Sequence, residues 1–426
     1  MISVSLPNQA PPGWPERVAL VATLLTPLFL MHGHALADAT ITITDLCFLF
    51  ASARRRAWGW LGESWTRLGL AWWGWVLICS LPIPGFGLGE GKIPSTLQAL
   101  AALRFIIFLP ALRHMVLREA APRRWLAGVL AACTAYITTQ VLIQGTLGHN
   151  LYGDRPGTAG ELGGPFDKPR AGPPLARLIP PVLVPPVQAL LSRRRLLTRL
   201  GGLALLLVPV AAMVLIGQRM PLVLTGFGLL IAALLLPRLR PAVLIACVAA
   251  LGLVAATVVV RPSAYHRLVV QFSSQLEHFA VSPYGLIYTR AGEITAQHPL
   301  TGRGFDGFRS GCRMPRYFRP SLDGSLPDGG GTAFCTEHPH NFYAQAATDG
   351  GLPGLALFCA LALAWLAPLW RGLWRTPDPR RVGLFASAVI QLWPLASTSG
   401  FTSMPMGGWF FLLLGWGLAE APATRR

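Results

Sequence analysis

Charged residues are scarce in this chain. They make up 13% of its 426 residues, about half the share of roughly 25% that is usual in soluble domains. The chain is also 53% apolar, with a mean hydropathy of +0.49. These values exclude an ordinary soluble globule and a disordered protein, and they predict an all-α, polytopic membrane protein.

Acidic residues are scarcer still, with 18 Asp and Glu against 36 Lys and Arg, and only Lys92 and Lys168 are lysines. A basic excess can indicate nucleic-acid binding. Here no basic run lies in a soluble domain with interleaved aromatic residues. The positive charge therefore indicates membrane topology or contact with anionic lipids and lipid-linked substrates, and no nucleic-acid partner is expected.

Cysteine spacing typical of a metal site is absent, since the chain has no CxxC and no Cys/His zinc pattern. Only Cys312 and Cys335 lie in a polar segment, 23 positions apart. They would form a disulfide if that segment lies outside the cytoplasm, or stay as two free thiols. The other five are expected to be small core residues in apolar stretches: Cys47, Cys79, Cys133, Cys247 and Cys359.

Twelve apolar stretches are candidates for membrane-crossing helices, which need about 20 residues each. They lie at about 18–36, 39–52, 68–84, 96–112, 125–145, 175–192, 200–217, 221–237, 241–260, 341–370, 382–398 and 404–420. The second stretch is short and carries Asp38 and Asp45. The sixth holds four prolines between positions 180 and 186, so we expect that helix to be bent or broken.

Arginine clusters follow every second stretch, for example at 54–56, 193–195 and 380–381. The positive-inside rule then places these clusters and both termini in the cytoplasm. The chain would divide into nine spans over 1–260, with an outer loop at about 146–174. A large outer loop over 261–340 would fold as a small helical subdomain, and three further spans would follow over 341–426.

The 261–340 loop is rich in arginine, with eight Arg against six acidic residues. Long translocated loops obey the positive-inside rule less strictly, so this loop would be either a solvated segment or an anion-binding site. We favour the anion site, because further outer arginines lie at the ends of spans that face the same compartment.

His338 and His340 precede the tenth span in the segment Thr336-Glu337-His338-Pro339-His340-Asn341. Thr336 is a candidate N-cap and Pro339 suits a first helical turn. The positive end of the helix dipole disfavours a protonated imidazole, so each histidine would be neutral and able to accept a proton. The alternative is an interfacial or capping role.

Arg219 lies between two strongly apolar stretches, next to Pro221. An arginine at the membrane interface is costly unless it binds an anion or extends to lipid phosphates. Because Arg219 would also lie at the positive N-terminal end of the eighth helix, it predicts an anionic ligand. Extension to lipid phosphate is the alternative.

Arg290 falls in a stretch that we expect to be an amphipathic helix ending near Gln297, and it would bind an anion or pair with Glu293. The turn that follows, His298-Pro299-Leu300-Thr301-Gly302-Arg303-Gly304-Phe305, contains two glycines that permit a close approach to a ligand.

These motifs together resemble those of the O-antigen ligase and polymerase superfamily. His340-Asn341, nine residues, Gly351, two residues and Gly354 fit its H-N-x9-G-x-x-G pattern, although Asp349 stands where the family often has Glu. The resemblance covers roughly residues 146–420.

Three other features of the chain are similar to the family in order and location. They are Arg219, the helix of Arg290 and the turn at 298–305. The stretch Gly163-Gly164-Pro165-Phe166-Asp167-Lys168-Pro169 is similar to the family's G-x-f-x-N-P-N segment, from which Asp-Lys-Pro departs.

The resemblance implies a GT-C-like, inverting and metal-independent glycosyltransferase of the bacterial inner membrane, with its site facing the periplasm. The donor would be O-antigen on undecaprenyl diphosphate, and in the ligase branch the acceptor would be lipid A–core. No cofactor is expected, since the chain has no P-loop and no Rossmann fingerprint.

The resemblance also implies roles for single residues. His340 would be the base, with His338 as second choice. Arg219 and Arg290 would bind the donor diphosphate, and Lys92 and Arg303 are weaker candidates for it.

Three other functions stay open at this point. An O-antigen polymerase and a protein O-oligosaccharyltransferase would use the same donor and chemistry. A carrier of lipid-linked glycans is less favoured, because the interiors of the predicted spans are nearly free of charge, with Asp45 and Arg104 as the main exceptions.

Overall fold

The computed structural model describes residues 13–83, 93–157, 160–319, 332, 334–396, 400–404 and 406–422. Its regular elements over these residues are helices. Those before the large loop are α1 (Trp14–His32), α2 (His34–Arg55), α3 (Ser64–Cys79), α4 (Ile93–Ala111), α5 (Ala120–Leu147), α6 (Gly172–Leu191), α7 (Leu196–Ile216), α8 (Arg219–Leu235) and α9 (Arg240–Val260). Those within the loop and after it are α10 (Pro262–Tyr265), α11 (Gln271–Glu277), α12 (Pro283–Gln297), α13 (Gly307–Gly311), α14 (Phe342–Trp370), α15 (Pro379–Leu392) and α16 (Met406–Glu420).

Eight helical stretches in the described part are long and apolar enough to cross a membrane. They are Trp14–His32, His34–Arg55, Ile93–Val116, Ala120–Leu147, Gly172–Leu191, Leu196–Ile216, Pro237–Val260 and Phe342–Trp370. The protein is therefore an all-α, polytopic membrane protein. The other four predicted spans also form helices, but α3, α8, α15 and α16 have 16, 17, 14 and 15 residues and fall short of that length.

The proline-rich helix α6 runs unbroken from Gly172 to Leu191, so of the two expected outcomes, a bend or a break, the break does not occur. Pro181 has no N–H to donate to the carbonyl of Arg177, one turn earlier. The hydroxyl of Ser387 on α15 donates to that carbonyl instead, at 2.8 Å. Gly383 permits the close approach, because a Cβ there would lie 2.4 Å from the carbonyl oxygen of Pro180.

The end of the bundle that carries the arginine clusters is tied together by ion pairs. Glu420 at the end of α16 pairs with Arg123 at 3.2 Å and with Arg380 at 3.5 Å. At the same end, Glu16 pairs with Arg55 at 2.5 Å. The opposite end is built differently, because the segments around 148–171, 261–340 and 393–404 converge there to line shared cavities.

Helix α14 is interrupted at Gly351, where φ is 66° and ψ is −163°. The turn after α12 is inserted into this break. The N–H of Leu352 donates to the carbonyl of Pro299 at 2.7 Å, and the N–H of Arg303 donates to the carbonyl of Thr348 at 2.7 Å. The backbone groups that the kink leaves unpaired thus find partners in the turn.

The glycines of this turn approach α14 and α3, which corrects the expectation that they make room for a ligand. A Cβ at Gly302 would lie 2.5 Å from the carbonyl oxygen of Thr348, and one at Gly304 would lie 2.8 Å from that of Cys79. The buried carboxylate of Asp349 completes the junction by accepting a hydrogen bond from the N–H of Gly307 at 2.9 Å.

Residues 261–340 contain a small core of their own, separate from the main core of the bundle. Its buried members are Ile287, Ala291, Ile294, Phe308, Cys312 and Tyr317. Cys312 and Cys335 form a disulfide, which joins α13 to the segment that leads into α14.

Candidate functional site

A cavity of about 690 Å³ opens between the N-terminal end of α8, the large loop and the entry to α14. Most of its lining is apolar, including Leu224, Phe227 and Trp393. Its charged and polar lining is concentrated in a few side chains, among them Glu161, Arg219, Arg267, Tyr284 and His340. We call it the arginine cavity.

Arg219 is the first residue of α8, where the helix dipole adds positive potential. Its Nη1 donates to Oε1 of Gln275 at 2.6 Å, and its Nη2 donates to Oε1 of Gln271 at 2.8 Å. Both partners are neutral amides on α11, so they orient the guanidinium without cancelling its charge. This geometry suits the binding of a phosphate group.

Arg267 supplies a second positive charge to the arginine cavity, although no sequence motif distinguishes it from the other loop arginines. Its Nη2 lies 2.6 Å from Oε1 of Glu161, which belongs to the 146–174 loop. The only signal in the sequence was its place among eight loop arginines. Arg267 lines the cavity because the loop folds back over α8.

His340 lines the same cavity and has a backbone φ of 51°, a left-handed conformation that is uncommon outside glycine. Strained conformations of this kind are often found at functional sites. Its ring lies 5.8 Å from that of Tyr284 and 4.7 Å from that of His338, measured between centroids, with edge-to-face geometry in both cases.

His338 lies behind His340 and is largely buried. Burial, and to a smaller extent the neighbouring His340, together lower the pKa of its imidazole to about 4. The ring is therefore neutral near pH 7, as expected, although burial is the main cause rather than the helix dipole. Its Nε2 has no hydrogen-bond partner among the described residues.

Asn341, and not Thr336, caps the helix that follows the histidines. Its Oδ1 accepts hydrogen bonds from the N–H groups of Tyr343 at 2.8 Å and Ala344 at 3.1 Å. The helix begins at Phe342, so Pro339 precedes it. Thr336 instead donates to the carbonyl of His338 at 2.7 Å, which fixes the turn that presents both imidazoles.

A second cavity, of about 650 Å³, lies on the His338 side of this pair. Its charged lining includes Asp154, Asp167, Arg170 and Glu337, and we call it the acidic cavity. A third cavity of about 380 Å³ shares Glu337 and His338 with it. The two histidines thus lie between the arginine cavity and the acidic cavity.

Arg290 lies away from both cavities. Its side chain is 1% exposed, donates to the carbonyl of Cys312, and has its guanidinium carbon 3.8 Å from the ring centre of Phe318 and 4.9 Å from that of Phe334. The carboxylate of Glu293, the alternative partner expected for Arg290, contacts Arg319.

Arg303 is 3% exposed and donates to the hydroxyl of Tyr317 at 2.5 Å. It too is absent from the described cavity linings. Lys92, the remaining candidate for the diphosphate, lies outside the described residues.

Within the described ranges, no group of three or more His, Cys, Asp or Glu side chains is arranged to hold a metal ion. The linings of the arginine cavity and of the cavity on the His338 side bring together guanidinium groups, carboxylates, two imidazoles and apolar side chains.

The fold and the site define a class: a polytopic helical membrane protein with two arginines and an imidazole in a largely apolar cavity at one end. Residues 203–359 match the family model described as O-antigen ligase (Wzy_C). These residues are thus similar to the O-antigen ligase family of membrane glycosyltransferase-like ligases, and the resemblance seen in the motifs is confirmed over this part of the chain. The match contains Arg219, Arg267, His338, His340 and Gly351. No curated protein matches the chain.

Proposed function

We propose that the protein is an O-antigen ligase, which transfers O-antigen from undecaprenyl diphosphate to lipid A–core by an inverting, metal-independent reaction. The observation that carries this proposal is the arginine cavity, where Arg219, Arg267 and His340 share one largely apolar wall. Apolar lining suits a polyprenyl tail, paired guanidinium groups suit a diphosphate, and an imidazole suits removal of a proton.

The reaction needs no nucleotide, because the leaving group already carries the diphosphate. The acceptor oxygen attacks C1 of the donor sugar and forms the new glycosidic bond. The bond from C1 to the diphosphate oxygen breaks, and its electron pair leaves with undecaprenyl diphosphate. Arg219 and Arg267 stabilise the negative charge on that leaving group.

His340 is our first choice for the base that takes the proton from the acceptor hydroxyl, because it lines the arginine cavity beside Arg219. His338 is the second choice. Its unpartnered Nε2 and neutral ring would allow it to accept the proton, or to pass it from His340 to solvent.

Arg290 and Arg303 contribute indirectly in this proposal. Arg290 holds the segment around the disulfide, and Arg303 holds the turn that fills the break in α14. Direct contact of either residue, or of Lys92, with the diphosphate is the weaker alternative.

The proposed setting is a bacterial inner membrane crossed twelve times, with both termini in the cytoplasm and the site in the periplasm. The arrangement of charge supports this orientation. The end with Arg55, Arg123 and Arg380 carries the arginine clusters, and the cavities open at the other end. The shorter helices α3, α8, α15 and α16 would be the remaining four of the twelve spans.

The lipopolysaccharide of a deletion strain tests the ligase assignment. We expect core without long chains, together with accumulated lipid-linked polymer. Core carrying a single repeat would instead assign the protein as a polymerase. Intact lipopolysaccharide with the loss of a glycoprotein would assign it as a protein O-oligosaccharyltransferase.

A further inference from the structure

The acidic cavity differs from the arginine cavity in the sign of its charge. Among the described residues that line it, three carboxylates, on Asp154, Asp167 and Glu337, stand against one arginine, Arg170. The arginine cavity has two arginines against one carboxylate. A diphosphate is therefore attracted to the arginine cavity and repelled by the acidic one.

The other side chains of the acidic cavity suit a sugar. Carboxylates accept strong hydrogen bonds from hydroxyl groups. Tyr152, Phe166 and His32 add ring surfaces, and the rings of His32 and Phe166 are stacked with centroids 6.5 Å apart. A ligand with many hydroxyls and no strong negative charge fits this lining, and the volume is in the range of small-ligand sites.

The loop that forms this cavity is held in shape by buried amides. Nδ2 of Asn150 donates to Oδ2 of Asp154 at 2.9 Å and to the carbonyl of Gly164 at 2.8 Å. Oε1 of Gln144 on α5 accepts a hydrogen bond from the N–H of Gly164 at 2.9 Å. A preformed site loses less entropy when a ligand binds.

We propose that the acidic cavity binds the acceptor as a neutral, hydroxyl-rich sugar unit and delivers its hydroxyl to the His338–His340 pair. This inference rests on the function proposed above. In an inverting transfer the acceptor oxygen approaches C1 on the face opposite the leaving diphosphate. The histidine pair lies between the arginine cavity, which would hold the diphosphate, and the acidic cavity, as that approach requires. The proton passes to an imidazole as the new bond from C1 to oxygen forms.

Asp167 and Arg170 allow a test, because both are exposed and line the acidic cavity, whereas the exposed Lys168 between them does not. The full-length protein in nanodiscs is assayed for transfer from undecaprenyl-diphosphate-linked O-antigen to purified lipid A–core. We expect Asp167→Asn and Arg170→Gln each to raise the KM for lipid A–core about tenfold, as one charge-assisted hydrogen bond is lost. The KM for the donor is unchanged, and Lys168→Gln behaves as wild type.

Binding of lipid A–core without donor gives a second measurement that does not depend on turnover. Because no transfer occurs without donor, the single variants are used directly. Asp167→Asn and Arg170→Gln should each bind lipid A–core about tenfold more weakly than wild type, and Lys168→Gln should bind it with the wild-type Kd. An unchanged acceptor KM and Kd in both cavity variants would overturn the inference, as would a raised KM for the donor alone. A wild-type protein that transfers nothing from this donor would overturn the proposed function as well.

Discussion

Arg219 shows how one residue can keep an available positive charge at the edge of a membrane. Its two hydrogen-bond partners, Gln271 and Gln275, are neutral. Arg267, by contrast, is paired with the carboxylate of Glu161. An approaching anion therefore meets one positive charge at Arg219 that no carboxylate partner offsets. It meets a second at Arg267, which Glu161 partly offsets. We expect Arg219 to contribute more to diphosphate binding.

Replacement of Arg219 by Ala should reduce transfer at least about tenfold, because a charged hydrogen bond to phosphate contributes roughly 1.5–3 kcal/mol. Arg219→Lys should recover only part of the rate, since an ammonium cannot make the paired contact of a guanidinium. The exposed Arg313, which is absent from the described cavity linings, provides the control. Initial rates of transfer are compared at matched protein levels. Full activity of Arg219→Ala would show that this arginine only anchors the protein in the membrane.

His338 should make the protein less stable in acid. The pKa of its imidazole is about 4 in the folded protein, below its ordinary value of 6.5, so between these values the unfolded chain binds a proton that the folded chain does not. Stability therefore falls as the pH drops from 6.5 toward 4.

We expect the Tm in detergent to decrease less between pH 7 and pH 5 in His338→Gln than in wild type. Parallel curves for the two proteins would show that His338 is not buried in its neutral form.

At the scale of elements, the junction between α14 and the turn after α12 depends on Gly351. A Cβ there would lie 2.6 Å from the carbonyl oxygens of Pro299 and Leu300. The left-handed conformation alone costs a non-glycine residue about 1–3 kcal/mol, and the contact adds to that cost.

Gly351→Ala should therefore lower the Tm more than Gly372→Ala does. Gly372 has a similar φ of 77°, but a Cβ there would meet nothing within 4 Å. Both glycines have a positive φ, and only Gly351 makes the close contact, which is the reason for the larger expected shift. Equal shifts in Tm would mean that the turn is not packed into the helix break as described.

The sequence predicted this region in part. The pattern His340-Asn341, Gly351 and Gly354 lies in the segment that the family model matches, and two of its residues serve local needs of the backbone: Asn341 caps the helix and Gly351 forms its kink. The partners of Arg290 were not predictable from spacing, since Phe318 and Phe334 meet it only through the fold of the loop and its disulfide. The position of Arg267 in the arginine cavity was not predictable for the same reason.

Helix α6 shows a similar limit to what the sequence alone can predict. Four prolines indicated a bent or broken helix, because local rules consider only the missing N–H groups. Ser387 and Gly383 on α15 compensate from another part of the chain. The apolar stretches themselves were predictable, since the bilayer imposes a length and a composition on any helix that crosses it.

At the scale of the whole molecule, the twelve-span topology can be checked with reporter fusions. Fusions after residues 160 and 320 should report the periplasm, and fusions after residues 56, 195 and 378 should report the cytoplasm, as the positive-inside rule requires. A cytoplasmic signal at 320 would put His340 on the side away from the lipid-linked donor and would rule out the proposed mechanism.

The most direct test of the central claim is transfer by purified protein from undecaprenyl-diphosphate-linked O-antigen to lipid A–core in the presence of EDTA. Wild type should be fully active, and His340→Ala should lose roughly 10²–10⁴-fold in rate, the usual contribution of a general base. The variant should still bind the donor, because Arg219 and Arg267 are intact, and His338→Ala should be affected less. Full activity in both single histidine variants, or an activity lost in EDTA and restored by a divalent ion, would contradict the account.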